Sequence, residues 1–410
     1  MTTMETLKNL PSKFSISVPG KVILLGEHSV VYGHLAIAAS LNLRSKLEYT
    51  CFDELNENDF VHIKLPNIKL DISLSSSDLN HLLTSLSSKN GWDFNNPFNV
   101  DFDNLVLGVE TFIKSQTKFH GLETQQLLGL KCCLFLMVAI LNCPNQPKLA
   151  GLKPFLLSLT SDLPVGAGAG SSASFCVSLA AFFVCLASLR EEPRVFCLDE
   201  KTKDLISNWA FLGERITHGN PSGLDNNVCA FGSLIAFRRP NTITKIPLCS
   251  GVRVLLVDTK VSRNTRTLVE RVATLKSHHE AIVQTIMKAM ESICVEAEKL
   301  FKLLDEAKKC HSTEESLSLF SRMEELWSMN HSLLQALGVS HPSLDQIVQM
   351  SKKHNLVGKL TGAGGGGFAI VLVPTGKEKA LTLLKDELLG CGFGVSDVEL
   401  GGPGVQLHLN

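Results

Sequence analysis

The chain has 410 residues, 44% of them hydrophobic, and 39 basic residues against 40 acidic ones give a formal net charge of -1. At about 150 residues per domain, this length predicts two or three domains. The charge balance argues against a nucleic-acid partner, because proteins that bind nucleic acids carry a basic excess that neutralises phosphates. The high apolar fraction argues against intrinsic disorder. We therefore expect a soluble globular protein.

Targeting and redox features of the sequence favour the cytosol. The first twenty residues lack the continuous apolar segment of a secretory signal. The longest apolar stretch, 175–189, is shorter than the roughly 20 residues that span a membrane, so we expect a buried helix and no membrane partner. The twelve cysteines include no Cys-x-x-Cys pair, which leaves zinc and thioredoxin-like sites without their spacing. Free thiols in a reducing compartment explain them more simply.

The first half of the chain interleaves strands and helices. In chain order, the patterns predict strands within 14–50, one short strand at 60–65, helical structure over 105–141, a strand at 155–159, and helices over 175–189 and 203–217. Glycines mark the turns in the first of these segments. The remainder of 51–104 is polar and predicts loops and sheet edges.

A polar, basic segment with prolines at 238–250 predicts a domain boundary. Beyond it, the patterns predict a strand at 252–258, helical structure over 265–309 that a break could divide, helices over 316–337 and 343–354, and a closing strand, helix and strand at 368–373, 377–389 and 405–409. Because strands and helices interleave without regular β-α-β alternation, we expect an α+β fold. The two predicted domains are 1–243 and 244–410.

A first glycine cluster, LPVGAGAGSSAS at 163–174, lies between a predicted strand and a predicted helix that opens with Ser171 and Ser172. Glycine permits close backbone approach, and a helix N-terminus offers unpaired N–H groups to an anion, so the segment predicts a phosphate-binding loop. It lacks the Lys-Ser or Lys-Thr pair of a P-loop, and its Gly-x-Gly-x-Gly spacing differs from the dinucleotide fingerprint. The alternative is a tight turn with a serine N-cap, but three alternating glycines exceed what a turn requires.

A second cluster, KLTGAGGGGFAIVLV at 359–373, places five glycines in six positions before a predicted strand. Fixing so many glycines costs conformational entropy, so some contact must reward their ordering. We expect the loop to lie against a ligand or against the first glycine cluster. A flexible linker is the alternative, but a linker would not lead directly into a buried strand.

Charged residues stand among apolar ones in PGKVILLGEHSVVYG at 19–33, which contains Lys21, Glu27 and His28. A buried lysine is costly unless it is paired with a carboxylate. Considered one at a time, each of these charges is explained by an ion pair at the end of a strand. The segment is therefore a candidate site only in combination with the other motifs.

Two carboxylates occur in GERITHGNPSGLDNNV at 213–228, where Glu214 lies near the end of a helix and Asp225 follows across a turn. Together with a serine-rich helix start, they suggest Mg²⁺ and a general base, because Mg²⁺ is held by a few protein oxygens and the nucleotide phosphates. The alternative is that Asp225 only caps the next helix.

The four segments, in this order, closely resemble the GHMP kinase superfamily. The residues of these motifs are most similar to those of the branch that acts on mevalonate in animals. The segments LPNI at 65–68 and DTKVSRNTRTLV at 258–269 strengthen the match. A galactokinase would read Gly-Glu-His-Thr-Asp-Tyr, whereas Ser29, Val30 and Val31 follow His28. The resemblance covers essentially the whole chain. It implies an N-terminal domain like domain 2 of ribosomal protein S5, a ferredoxin-like C-terminal domain, and a site between them.

This resemblance implies ATP- and Mg²⁺-dependent phosphorylation of the 5-hydroxyl of (R)-mevalonate, giving 5-phosphomevalonate and ADP in isoprenoid and sterol biosynthesis. Asp225 would act as general base or orienting group, with Lys21 stabilising its ionised form and the developing charge. Ser172 and Glu214 would hold Mg²⁺. Mevalonate would be bound by Lys21, Glu27, His28, Asp225 and Thr265, and ATP by Lys21, Asn67, Ser161, Gly166, Ala167, Gly168, Ala169, Gly170, Ser171 and Ser172. The glycine loop 361–367 would support the phosphate loop.

The resemblance also carries expectations about assembly and location. It implies a homodimer, for which the amphipathic helix at 317–337 could supply a face, although core packing explains that helix equally well. It implies feedback inhibition by isoprenyl diphosphates that compete at the phosphate loop. Lys21-Val22, five residues and His28 resemble a peroxisomal import nonapeptide, but Ser29 stands where Leu or Ala is expected. The cytosol therefore stays the predicted compartment.

Two alternatives remain open at this point. A phosphomevalonate kinase of the same superfamily would need further cationic groups for the substrate phosphate, and we find none added near Asp225. A non-catalytic sensor that binds ATP without turnover would be expected to lose at least one of the reactive residues. All four are present, namely Lys21, Ser172, Glu214 and Asp225.

Overall fold

The computed structural model describes residues 6–7, 10–52, 60–86, 92–143, 152–164, 168–189, 196–219, 221–238, 242–246 and 252–409. Within them, the strands are β1 (Thr6–Leu7), β2 (Lys13–Leu25), β3 (Ala36–Cys51), β4 (Val61–Leu65), β5 (Leu70–Leu74), β6 (Phe155–Ser161), β7 (Phe196–Cys197), β8 (Leu234–Arg238), β9 (Thr242–Ile246), β10 (Val252–Asp258), β11 (Val357–Leu360), β12 (Phe368–Val373), β13 (Gly394–Leu400) and β14 (Gln406–Leu409). The α-helices are α1 (Ser76–Ser85), α2 (Phe102–Ser115), α3 (Thr124–Leu141), α4 (Ser171–Ser188), α5 (Glu200–His218), α6 (Leu224–Phe231), α7 (Thr265–His278), α8 (Glu280–Lys309), α9 (Thr313–Ala336), α10 (Pro342–Lys353) and α11 (Glu378–Gly390).

The N-terminal sheet is organised around the long antiparallel pair β2 and β3. Strand β14 pairs with β2, while β6 and β8 pair with different parts of β3. Strand β4 lies parallel to β6 and antiparallel to β5, and β9 extends the sheet from β8. The last strand of the chain therefore returns to the first long strand, so that both ends of the sequence contribute to one sheet.

The C-terminal sheet has the strand order β11-β12-β10-β13, and its pairs are antiparallel. Numbered within this half of the chain, the order is 2-3-1-4, with helices between the first and second strands and between the third and fourth. This is the β-α-β-β-α-β arrangement of a ferredoxin-like domain. The two sheets meet where Leu400 of β13 pairs with Leu41 of β3. The predicted α+β class, with a ferredoxin-like C-terminal part, is confirmed.

Helix α4 is fixed against the N-terminal sheet by aromatic packing. The ring of Phe182 lies 5.5 Å from that of Tyr49 and 5.8 Å from that of Phe155, measured between centroids. At the start of the helix, the Ser174 hydroxyl donates to the Val18 carbonyl at 3.0 Å. Because these contacts hold both the middle and the first turn of α4 against the sheet, they fix the position of its N-terminus.

Two described helices, α3 and α4, are long and apolar enough to cross a membrane by length and composition. However, 67% and 78% of the residues in these stretches are buried inside the protein. A helix that is apolar on all sides is buried in a protein core when neighbouring elements cover it. The predicted buried helix at 175–189 is confirmed, and α4 begins at Ser171, as expected for the helix that follows the first glycine cluster.

Several elements were missed by the sequence patterns. The segment 51–104 contains strand β5 and helix α1 in addition to β4. Helix α1 begins with a capping box between Ser75 and Asp78 but buries only two leucines, so its apolar stripe is too short to detect. Strand β13 was missed because two adjacent polar, exposed residues, Ser396 and Asp397, interrupt the apolar alternation that indicates a strand. The predicted domain boundary falls partly on residues 239–241 and 247–250, outside the described residues, and stays a prediction.

A close contact between two glycine segments closes the fold at the start of β8. Gly232 has φ 72°, and a Cβ built on it would lie 2.1 Å from the Gly404 backbone nitrogen. We expect Gly232→Ala to lower the free energy of unfolding by at least about 2 kcal/mol more than a Gly→Ala control, because backbone atoms cannot move aside. The measurement is urea unfolding followed by circular dichroism. Gly376→Ala is the control, since Gly376 has φ 85° and no atom within 4 Å of an added Cβ. Equal losses would contradict the argument.

Candidate active site

The first glycine cluster leads into helix α4 through two left-handed glycines, Gly168 (φ 91°) and Gly170 (φ 77°). Gly170 is the N-cap residue, and no side chain caps the helix. The alternative interpretation of this segment as a turn with a serine N-cap is therefore wrong. Among the described residues, no side chain caps the N–H groups of the first turn of α4, as an anion site requires. The predicted ATP contacts Gly166 and Ala167 lie outside the described residues.

The described part of this loop lies directly against Lys21 of β2. The Lys21 N–H donates to the Ala169 carbonyl at 2.9 Å. A Cβ on Gly170 would lie 2.7 Å from Lys21 Cγ, so only glycine lets the lysine stem pass this close to the start of the helix. The half-buried Ser171 and Ser172 follow at once as the first residues of α4. Lys21 and the helix N-terminus therefore form one cationic region.

Lys21 and Asp225 form the central ion pair of the site, with 3.0 Å between Lys21 Nζ and Asp225 Oδ2. The Lys21 side chain is only 6% exposed, whereas that of Asp225 is 33% exposed. Asp225 is the second residue of α6, and Gly223 is the N-cap, so the interpretation of Asp225 as a helix cap is wrong. A buried lysine is balanced by a carboxylate that solvent or a substrate can still reach.

Glu214 of α5 is almost fully buried beside this pair, and its Oε2 atom has no described hydrogen-bond partner. Burial raises the pKa of Glu214 to about 8; the Asp225 carboxylate adds to the shift and Lys21 opposes it. An unpartnered buried carboxylate oxygen is costly, and a bound cation would offset that cost.

The surroundings of Glu214 fit a magnesium ion held mainly by a nucleotide. The Ser172 hydroxyl lies 3.2 Å from that of Thr217, which donates to the Glu214 carbonyl at 3.0 Å. Among the described residues there is no group of three or more His, Cys, Asp and Glu side chains arranged to hold a metal. Mg²⁺ takes one or two protein ligands together with phosphate oxygens and water, and Ser172 and Glu214 fit that requirement.

Arg263, which the sequence patterns did not single out, lies between the two glycine loops. A Cβ on Gly168 would lie 1.6 Å from Arg263 Nη2, and one on Gly362 would lie 3.1 Å from the same atom. The Arg263 Nη1 group also donates to the Thr361 carbonyl at 3.3 Å. Burial lowers the pKa of Arg263, and the Asp225 carboxylate opposes this shift. The only sequence signal was its place two residues before Thr265.

His28 contacts the second glycine loop from a strained backbone conformation. Its φ is 59°, in the left-handed region, and its Nε2 donates to the Ala363 carbonyl at 2.9 Å. Burial lowers the pKa of His28. A non-glycine residue holds such a conformation only when its surroundings enforce it, which is a feature of functional sites.

Glu27 differs from the expectation that it binds substrate. Both of its carboxylate oxygens are occupied, Oε1 by the Lys359 ammonium and Oε2 by the Asn330 amide at 2.9 Å. Its side chain is fully buried. Because both oxygens are occupied and the side chain is buried, the geometry gives no support to a direct substrate contact. The sequence could not reveal these partners, since both are more than 300 residues away.

The remaining predicted contacts lie at the rim of the site. Asn67 and Ser161 are joined by two hydrogen bonds of 2.9 Å, each between the Asn67 amide and the Ser161 backbone. This pair fixes the end of β6, from which the phosphate loop departs. Thr265 is the exposed first residue of α7, two positions after Arg263. The roles predicted for these three residues stay predictions.

Comparisons with known proteins show the family to which the chain belongs. The model of the GHMP kinases N terminal domain matches residues 136–233, and that of the GHMP kinases C terminal matches residues 313–383. Mevalonate kinase of Homo sapiens is 36% identical over 401 residues, which cover 96% of this chain and 94% of the human one. Mevalonate kinase of Arabidopsis thaliana is 33% identical, with 95% and 98% covered.

Solved structures show the same fold. L. major mevalonate kinase in complex with R-mevalonate superposes with a TM-score of 0.65 at 20% identity, covering 97% of this chain and 99% of that one. Methanococcus jannaschii mevalonate kinase gives a TM-score of 0.63 at 23% identity, with 95% and 98% covered. The fold and the matches to both GHMP kinase models define a kinase of the GHMP superfamily, and the GHMP kinase fold that the resemblance implied is confirmed. Within that superfamily, the identities of 33–36% over nearly the whole chain show that it belongs to the mevalonate kinase family.

Proposed function

We propose that this kinase transfers the γ-phosphoryl group of ATP to the 5-hydroxyl of (R)-mevalonate, giving 5-phosphomevalonate and ADP. The observation that carries the proposal is the Lys21–Asp225 pair, 3.0 Å long, at the N-terminus of α4. A carboxylate that a substrate can reach therefore lies beside a helix N-terminus, and helix N-termini are suited to binding phosphate. The choice of mevalonate as the substrate is supported by the relatives that are named mevalonate kinase.

Each residue has a defined task in this transfer. Asp225 accepts the proton of the substrate hydroxyl, or orients that hydroxyl, while the oxygen forms its bond to the γ-phosphorus and the bond to the β-phosphate oxygen breaks. Lys21 neutralises charge that develops on the transferred group, and the first-turn N–H groups of α4 bind the remaining phosphates. Phosphoryl transfer depends mainly on such positioning and charge stabilisation.

Mg²⁺ would be held by Ser172 and Glu214. When bound, it supplies positive charge that neutralises the phosphate oxygens. The support in this chain is the buried Glu214 carboxylate, whose Oε2 lacks a described partner. His28 and Thr265 are proposed to bind mevalonate, and Asn67 and Ser161 to line the nucleotide pocket.

A parallel assay tests the substrate assignment. ADP release would be measured with ATP and Mg²⁺ and with mevalonate, phosphomevalonate, galactose or homoserine as acceptor. We expect turnover with mevalonate alone, lost in Asp225→Asn. Turnover with phosphomevalonate instead would favour that neighbouring kinase, and ATP binding without turnover on any acceptor would favour the sensor alternative.

Assembly, regulation and location complete the proposal. We propose a homodimer in the cytosol, inhibited by isoprenyl diphosphates that compete with ATP at the phosphate loop. Sedimentation of the purified chain tests the assembly, and a fluorescent fusion tests the location, including the peroxisome. Farnesyl diphosphate should raise the apparent KM for ATP; inhibition without that rise would refute competition at the loop.

A further inference from the structure

A fully buried ion pair lies behind the candidate active site. Lys359 of β11 and Glu27, in the turn after β2, are each 0% exposed, and the Lys359 ammonium donates to Glu27 Oε1. It also donates to the Leu360 carbonyl at 2.6 Å. The Asn330 amide of α9 occupies the other carboxylate oxygen at 2.9 Å. The pair therefore joins two elements of the C-terminal half to a single turn of the N-terminal half.

Stability alone is a weak reason to keep this pair. Removing two charges from water costs several kcal/mol per ion, and a well-packed apolar pair of similar volume is often at least as stable. The same cost is visible at Lys359, where burial lowers the pKa of the ammonium and the Glu27 carboxylate opposes the shift. A pair of fixed charges does something an apolar pair cannot, because hydrogen bonds set the direction as well as the distance of the contact.

The residues that this pair orients are those of the site. Glu27 lies between Gly26 and His28, both left-handed, with φ 87° and 59°. The His28 ring then donates to the Ala363 carbonyl in the glycine loop 361–367. On the other side, Lys359 is followed two residues later by Thr361, whose hydroxyl donates to the Ile23 carbonyl at 2.7 Å.

One ion pair thus anchors both partners of the contact between the N-terminal turn and the glycine loop. That loop in turn packs against Arg263, which lies on Gly168 of the phosphate loop. A shift of the loop would move His28 and Arg263 together. Displacements of about 1 Å in a phosphoryl-transfer site are enough to reduce turnover strongly.

We propose that Lys359 is a positioning residue for phosphoryl transfer, which through Glu27 fixes His28 and the glycine loop 361–367 relative to the phosphate loop. It touches neither substrate. This inference rests on the proposed function, since it assigns a residue to the same reaction.

The test compares the single variant Lys359→Met with the double variant Glu27→Gln/Lys359→Met. The single variant leaves a buried carboxylate without its cation and is liable to unfold, whereas the double variant removes both charges. We expect the double variant to fold with a Tm close to that of the wild type. Its kcat should fall at least tenfold and its KM for mevalonate should rise, while its KM for ATP stays within about threefold.

Glu291→Gln is the matched control. Glu291 of α8 also joins the two halves, through His34 Nδ1 at 2.7 Å and Arg238 Nη2 at 2.5 Å, and neither of these two partners belongs to a glycine loop. We expect this variant to lower Tm and leave kcat and both KM values unchanged. If Glu291→Gln lowers kcat as much as the double variant does, the positioning role of Lys359 is refuted.

The outcomes separate this inference from the proposed function. A wild-type protein without mevalonate turnover refutes both. A wild-type protein that turns over mevalonate, with a double variant of unchanged kcat and KM, refutes only the positioning role. A double variant that does not fold refutes it too, because the pair would then be a requirement of folding.

Discussion

Asp225→Asn is expected to lower kcat by about 10²–10⁴ while the KM values for ATP and mevalonate stay within about threefold. Asparagine keeps the shape of the side chain and can still accept a hydrogen bond from Lys21 at the distance observed, 3.0 Å. It cannot take a proton from the substrate hydroxyl or offer a full negative charge to the ammonium. Steady-state ADP release with both substrates varied measures the two parameters separately.

Asp103→Asn is the control for this experiment. Asp103 is an exposed residue in the first turn of α2, so it matches the helical position of Asp225 without its lysine partner. We expect no kinetic change. Near wild-type turnover in Asp225→Asn would remove Asp225 as the base, and would leave a neutral Lys21 amine or the substrate itself to accept the proton.

The part of the candidate site whose local structure the sequence predicted is a continuous motif. Gly168, Gly170 and Ser172 follow one another at a strand-to-helix junction, so their spacing alone defines a loop and a helix N-terminus. The pairing of Lys21 with Asp225 required the family resemblance, because no local rule joins residues that are 204 positions apart in the numbering.

The contacts that the sequence did not reveal are long-range ones. A local motif predicted that Glu27 binds substrate, whereas in the structure its carboxylate pairs with Lys359, 332 positions away. Arg263 was read only as part of a segment, since its place between Gly168 and Gly362 appears only in three dimensions. Charge and spacing along the chain cannot specify which side chain meets a given carboxylate.

The fold shows the same division. The strands at 252–258 and 368–373 were predicted to the residue, because continuous β-branched and apolar runs define buried strands. The helical segment 265–309 divides at His279, where φ is -134° and ψ is 51°. No glycine or proline marks that position, so the break depends on packing. The sequence predicted that a break could occur within 265–309 but not at which residue.

Glu214→Gln should separate magnesium dependence from stability. The variant keeps the volume of the side chain but loses the charge that would hold Mg²⁺ beside Ser172. We expect the Mg²⁺ concentration for half-maximal activity to rise at least tenfold and kcat to fall by about 10² or more, because a carboxylate ligand contributes to charge neutralisation in the site. Titration calorimetry of Mg²⁺ with a non-hydrolysable ATP analogue gives a second readout that does not depend on turnover.

The difference in the free energy of unfolding between the wild type and this variant should change with pH, because the pKa of Glu214 in the wild type is raised to about 8. Between the ordinary pKa of a glutamate and this value, the unfolded chain has released a proton that the folded protein still holds. The free energy of unfolding of the wild type therefore falls as pH rises through this range, and the Gln variant lacks this contribution. Relative to the wild type, Glu214→Gln should gain stability between pH 6 and pH 9.

Glu200→Gln supplies the comparison, since Glu200 is an exposed residue in the first turn of the same helix and pairs with Lys245. It should leave the magnesium requirement unchanged and alter the free energy of unfolding little, because exposed ion pairs contribute little. An unchanged Mg²⁺ requirement in Glu214→Gln would remove this carboxylate as a magnesium ligand. A variant that lost stability equally at both pH values would show instead that Glu214 is ionised and compensated in the folded protein without any metal.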